Sequence, residues 1–203
     1  MPRKTFEASL EDLNVELIKM GATVETAINS AIIAFKNHDE KLAKEVVDQD
    51  RIIDDMEKDI ESKCLSLILR QQPVACDLRV VSTALKMVTD MERIGDQAAD
   101  IAELVMDFTG ELGYTSIEHI PAMAEVAVSM VHGAIAAFVN HDVEAAREII
   151  KKDDVVDELF EKVKQDVSKS LQANAKNSDM DINFLMIAKY LERIGDHAEN
   201  ICE

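Results

Sequence analysis

Five consecutive residues, Glu92-Arg93-Ile94-Gly95-Asp96, return unchanged as Glu192-Arg193-Ile194-Gly195-Asp196, 100 residues further on. A second match, Ala34-Phe35-Lys36-Asn37-His38-Asp39 against Ala137-Phe138-Val139-Asn140-His141-Asp142, recurs at an offset of 103. Two matches in the same order at nearly the same offset mark a duplicated unit that occupies about half of the 203 residues. Any fold for this chain must therefore repeat itself.

The repeated unit is helical. Phe6, Leu10, Leu13, Leu17, Met20, Val24, Ala27, Ala31 and Ala34 recur at three- and four-residue steps, which predicts one long helix from about Thr5 to Lys36. Asn37-His38-Asp39 supplies a break and an N-cap, and Leu42, Val46, Ile53, Met56, Ile60, Cys64 and Leu67 carry a second helix to about Arg70. Pro73 stops it and suits the first turn of a third helix, running from about Val74 to Phe108. The segment from Thr109 to Pro121 is the most loop-like, so the units are placed at 1–110 and 115–203. The second unit repeats the scheme, with helices from about Met123 to Phe138 and Val143 to Leu171, a polar link from Gln172 to Ser178, and a last helix carrying the second copy of the motif. Aromatic residues at 4%, no Trp, 6 Gly and 3 Pro agree with long helices and few turns. The expected fold class is all-α, two tandem, structurally similar three-helix bundles made of six long helices.

Charge restricts partners. With 40 acids against 22 bases and a net charge of -18, the chain repels nucleic acid and anionic lipid and suits cations, metal ions or basic protein surfaces. Cys64, Cys76 and Cys202 are odd in number and lack metal-ligand spacing, so each is expected to pack as a small apolar residue in a reducing compartment. No apolar run follows the N-terminal charges and no stretch approaches 18 uncharged apolar residues, so the expected location is cytoplasmic, with any membrane met only through a partner.

The acids of the motif are ordered. On a helix Glu92, Asp96 and Asp100 fall about 40° apart along one stripe, with Ile94, Ala98 and Ile101 on the opposite side, so the acids are expected to face away from the core. Asp50, Asp54, Glu57 and Glu61 form a second stripe, and Asp153 and Asp157 stand 103 residues after its first two members. If the second and third helices make an antiparallel hairpin about Pro73, Asp50 comes level with Asp96, and Asp54 with Glu92. The same construction in the second unit sets Asp153 beside Asp196 and Asp157 beside Glu192. Packed helices lie about 8 to 10 Å apart, so these carboxylates repel unless they are protonated, splayed into water or bridged by cations. A thiol-free carboxylate set suits Mg, Ca, Mn or Fe; an ordinary solvated acidic face is the competing reading. Gly95 and Gly195, each costing about 1 kcal/mol in mid-helix, point to close helix approach, and His38 and His141 to capping at helix junctions. The chain has no Gly-rich phosphate loop, no Ser-His-Asp or Cys-His arrangement and no Glu-x-x-His pair on the motif helices, so an enzyme is not expected.

Gln72-Pro73-Val74-Ala75-Cys76-Asp77-Leu78-Arg79, together with the two Glu-Arg-Ile-Gly-Asp copies and the following Asp196-His197-Ala198-Glu199-Asn200-Ile201, resembles the PhoU family of phosphate-uptake regulators over the whole chain. The resemblance implies a homodimer of paired three-helix bundles with multinuclear iron or zinc clusters on Glu/Asp-x-x-x-Asp motifs. It also implies a negative regulator without turnover, linking a phosphate ABC transporter, through its ATPase subunit, to a phosphate-sensing histidine kinase. Carried over by position, one metal site falls on Asp50, Asp54, Glu92, Asp96 and Asp100, and the other on Asp153, Asp157, Glu192, Asp196 and Asn200. Asn200 stands where the first copy has Asp100, and Tyr190 where it has Asp90, so the sites are expected to differ. A structural scaffold with solvated acids and a metal-dependent phosphohydrolase are the alternatives.

Overall fold

Six helices make up the computed structural model, which describes residues 2–108, 119–173 and 178–203, with side chains from Phe6 onward. They are α1 (Pro2–Asn37), α2 (Glu40–Gln71), α3 (Cys76–Met106), α4 (His119–Asn140), α5 (Val143–Ala173) and α6 (Ser178–Cys202). The chain is all-α, and helices α1 to α3 and α4 to α6 form the two bundles. The expected loop between Thr109 and Pro121 and the polar link from Gln172 to Ser178 fall largely outside the described residues. α5 runs on to Ala173, however, and α6 begins at Ser178.

The junctions show why the helices end where they do. His38 and His141 take left-handed backbone angles, with φ of 51° and 55°, and stop α1 and α4. The next residue in each case caps the following helix: Leu42 N–H donates to Asp39 Oδ1 at 3.0 Å and Ala145 N–H to Asp142 Oδ1 at 2.9 Å. The capping role expected for this repeated triad is thus met, with the histidine turning the chain and the aspartate closing the helix.

The α2–α3 turn departs from expectation. Pro73 lies outside both helices. Gln72, at φ 47°, closes α2 through its N–H to Ile68 O, and α3 starts only at Cys76 after Ala75, also at positive φ. Two residues of left-handed turn, rather than a proline-initiated helix, reverse the chain. Cys76 is consequently exposed at this tip, whereas Cys64 is buried, so the expectation that all three cysteines are packed holds for Cys64 and fails for Cys76.

Packing joins the bundles. α1, α3, α6 and α4 touch in a closed ring, while α2 packs only on α1 and α3, and α5 only on α4 and α6, among the described helices. Leu13, Leu17, Met91, Ile94, Met130 and Ile194 are among the buried side chains of one continuous core. Phe35, Phe108 and Phe184 close one end of the ring at centroid separations of 5.8 to 5.9 Å, the Phe35–Phe184 pair edge-to-face. Both joins between the bundles are antiparallel: Gly21 of α1 meets Ile135 of α4, and Asp90 of α3 meets His197 of α6. By length and composition α1 and α4 qualify as candidate membrane spans, so the sequence comes nearer to such a stretch than expected. In this fold 44% of each apolar window is buried, and α4 needs its apolar surface to pack on α1, α5 and α6.

Candidate metal centre

Gly95 decides how closely α2 and α3 approach. A Cβ built there would lie 2.9 Å from Ile53 Cδ1 and 3.5 Å from Asp50 Oδ1, so the absent side chain is what lets the α2 backbone and its acids come up against α3. Gly195 repeats the device: its Cβ would lie 2.7 Å from Asp153 Oδ1 and 3.5 Å from Val156. Ile53 and Val156 stand 103 residues apart, as do Asp50 and Asp153, so the two hairpins share one register. The close-approach role expected of both glycines is met.

That approach brings acids together from both helices. One carboxylate oxygen from each of Asp50, Asp54 and Asp96 lies within 4.8 Å of the other two, and all three residues are half-buried. Oxygens bound about 2.0 to 2.6 Å from one ion are at most about 4 to 5 Å apart, so the trio can converge on a shared cation. Burial, reinforced by Asp96, Asp54, Asp100 and Glu103, pushes Asp50 up to about 6. Glu92 and Asp100 are also raised, chiefly by burial, with Asp96 adding to both. Glu92 Oε2 is buried without a hydrogen-bond partner. The acids face one another across the hairpin rather than pointing away into water, because the helix pair folds them inward.

A cation already leans on this group. Arg93 Nη1 donates to Asp96 Oδ2 at 3.0 Å and Arg93 Nε stands 3.4 Å from Glu92 Oε2, with half of the arginine side chain in solvent. This ion pair is exposed, and water weakens it. One turn closer to the hairpin tip, Thr89 donates a hydrogen bond to Glu57, whose pKa is raised by burial and by Glu61.

The second hairpin gathers a different set. Asp153 is pushed up to about 6 by burial and then by Asp157, Glu199, Asp196 and Glu192, and its Oδ1 is buried without a partner. Glu199, whose counterpart is Ala99 and which was not among the expected ligands, belongs to this group. The missed signal was its three-residue spacing from Asp196, which sets both on one helical face. Asn200 is exposed on the neighbouring face. Glu192 is hydrogen-bonded by Lys189, whose ammonium also stands 5.6 Å from the centre of the Phe160 ring. Lys164 lies at the same distance from that ring.

Contacts between α3 and α6 connect the two hairpins. His197 Nδ1 and Asp90 Oδ1 are 2.9 Å apart and both side chains are largely buried. Interchanging the two copies turns this pair into Gln97 with Tyr190. Gln97 Oε1 is buried without a hydrogen-bond partner, so the His197–Asp90 bond is not repeated there. Arg193 and Tyr190 of α6 also face Asp100 of α3, Arg193 favouring its charged form.

The PhoU domain profile matches residues 17–105 and 120–203. A phosphate-specific transport system accessory protein PhoU homolog of Clostridium acetobutylicum is 39% identical over 204 residues, covering 100% of this chain and 93% of that protein. The Escherichia coli accessory protein PhoU is 30% identical over 198 residues, with 98% and 82% covered. The crystal structure of PhoU from Pseudomonas aeruginosa superposes with a TM-score of 0.89 at 32% identity, covering 97% of this chain and 95% of that one. The phosphate transport system regulatory protein PhoU from Streptococcus pneumoniae gives 0.90 at 26%, with 98% and 93% covered. With the duplicated hairpin and matches over both halves, this chain belongs to the PhoU domain family.

Proposed function

We propose that this protein is a non-enzymatic accessory regulator of phosphate-specific transport that binds metal through its acidic hairpins. It represses phosphate uptake and the phosphate-starvation response as a cytoplasmic adaptor between the ATPase subunit of a phosphate ABC transporter and a phosphate-sensing histidine kinase. The observation that carries the metal part is the convergence of Asp50, Asp54 and Asp96. Full-length similarity to accessory proteins of the phosphate-specific transport system supports the regulatory part.

The residues fit the group. Asp50, Asp54, Glu92, Asp96 and Asp100 would hold metal in the first hairpin, and Asp153, Asp157, Glu192 and Asp196 in the second, with Glu199 in place of the exposed Asn200. All-oxygen ligation suits iron, manganese or magnesium, and zinc accepts carboxylates too. The bound cation supplies positive charge that offsets carboxylate repulsion. The chain's own part is mechanical: α2 and α3 carry the acids on opposite sides of a glycine contact, so neutralising them stiffens the hairpin and fixes the outer face of α2, which partners would read. Assembly as a homodimer belongs to the same reading and is checked by sedimentation equilibrium.

The test has two arms. Protein purified without chelator or affinity tag is expected to contain iron, zinc or manganese by elemental analysis, and Asp54→Asn with Asp96→Asn to lower it. Deleting the gene is expected to abolish phosphate repression of uptake, with the wild-type chain restoring it and the double variant restoring it poorly. Protein that stays metal-free and takes up none of these ions ends the metal reading. Intact repression in the deletion strain ends the regulatory one.

A further inference from the structure

Equivalent positions in the two hairpins carry opposite electrostatics on the side nearer the hairpin tip. With α2 and α5 related by an offset of 103 and α3 and α6 by 100, Glu57 corresponds to Phe160, Glu61 to Lys164, Thr89 to Lys189 and Asp100 to Asn200. Asp50, Asp54, Glu92 and Asp96 keep their acidic partners Asp153, Asp157, Glu192 and Asp196. Over these eight positions the first hairpin has seven acids and no base, whereas the second has four acids and two lysines; beside them Ala99 corresponds to Glu199, and Lys58, 4.0 Å from Asp54, corresponds to Glu161. Formal charge drops from -7 to -2 over these eight positions, and from -6 to -4 with the two adjoining pairs included. The acid stripe of the first hairpin continues toward its tip through Glu57 and Glu61. In the second, a Lys–Phe–Lys stack ends it.

The stack has a defined geometry. The ammonium groups of Lys164 and Lys189 each lie 5.6 Å from the centre of the half-buried Phe160 ring, within cation–π range. Lys189 also donates to Glu192 Oε2, whose side chain is only 14% exposed. Arg93 in the first hairpin is placed differently, touching the carboxylates of Glu92 and Asp96 with no ring beneath it among the described residues, its side chain 52% exposed against 43% for Lys189. Lys189 is held at two points, by the ring and by the carboxylate. Of the described residues, the Asp50, Asp54 and Asp96 trio is the one group of three acids close enough to share an ion, and it lies in the hairpin without the stack.

We propose that Lys189, positioned by Phe160, is a built-in counter-cation of the second hairpin that competes with metal for Glu192, so the two sites load at different metal concentrations. Affinity of carboxylate sites for hard cations follows the number of ligand charges. Each ligand set has five carboxylates, but Lys189 already neutralises Glu192 in the second, so the first site is the tight one. The second fills only when metal activity is high enough to displace a tethered ammonium, and displacement frees Lys189 into solvent. Occupancy of the second hairpin thus reports metal level while the first stays filled. This rests on the metal-binding reading above.

Calorimetric titration of the chelator-treated full chain with Mn2+ tests it. The wild type is expected to show two classes of site differing at least about tenfold in Kd, with Asp54→Asn removing the tight class and Asp157→Asn the weak one. Lys189→Met is expected to tighten the weak class about tenfold and leave the tight one unchanged, with Glu192→Gln cancelling the gain. Lys189→Gln serves as the second variant, and far-ultraviolet circular dichroism checks that each is folded. Amine acylation read by mass spectrometry provides a separate signal: Lys189 is expected to react slowly in metal-free protein, and faster after Mn2+ saturation or in Glu192→Gln. Two classes of equal affinity, or a weak class unmoved in both Lys189 variants, overturn the proposal while leaving the metal reading intact. No binding by any variant overturns both.

Discussion

Asp50→Asn in metal-free protein is expected to stabilise the fold at alkaline pH and to do little in acid. Burial and four neighbouring acids lift the Asp50 carboxyl from 3.8 to about 6, so the folded state holds its proton more tightly than the unfolded chain does. A group raised in this way contributes stability that is complete below about pH 4 and is lost as pH rises past 6. The shift corresponds to about 3 kcal/mol at 1.36 kcal/mol per pH unit. The carboxylate is partly solvated and water screens its neighbours, so about 1 to 2 kcal/mol is the working value. An amide cannot ionise and keeps the shape, so at pH 8 the variant should melt higher by roughly 2 to 8 °C for a chain of this length. The assay is thermal unfolding by circular dichroism at pH 4, 6 and 8, with chelator and at constant ionic strength. With saturating metal the order should reverse, because the wild type gains binding free energy that the variant has lost. A variant less stable than wild type at pH 8 without metal, or an equal gain at pH 4 and pH 8, would refute the reasoning that the acids are mutually repelling and desolvated.

The glycines separate packing from site geometry. Gly95→Ala drives a methyl into Ile53, a fully packed side chain, and should destabilise by about 1 to 3 kcal/mol in urea unfolding. Gly195→Ala meets only the end of the Asp153 side chain, so its helix-propensity gain of about 1 kcal/mol should leave stability close to wild type while metal binding by the second hairpin falls in a Mn2+ titration. The join between bundles gives another test. His197→Ala strands the largely buried Asp90 and should cost about 1 to 3 kcal/mol, whereas adding Asp90→Ala to it should cost less than the sum of the two single changes in a double-mutant cycle.

Much of this arrangement is written locally. The three- and four-residue apolar spacing sets six helices. Asp39 and Asp142 cap the helices that follow them, and a hairpin between adjacent antiparallel helices has a register that residue numbers alone fix. Asp50 beside Asp96, and a close helix approach at Gly95, were accordingly legible before any coordinates. The α2–α3 turn was read less well, because whether Pro73 starts a helix depends on left-handed angles at Gln72 and Ala75, and neither is a glycine that would advertise them.

What the sequence could not decide lies between elements far apart in the chain. Whether acids are solvated or folded inward depends on how closely α2 approaches α3, and which cation answers them depends on side-chain direction. Lys189 rests on Phe160 and Glu192, and Arg193 reaches toward Asp100, by packing geometry that helical periodicity does not encode. The His197–Asp90 contact spans 107 positions and exists only because α3 and α6 cross antiparallel inside the ring. Sequence by itself determined two similar hairpins, since helix formation and short turns are local. Only the tertiary structure made them chemically unequal, since desolvation and counter-charge are properties of what packs alongside.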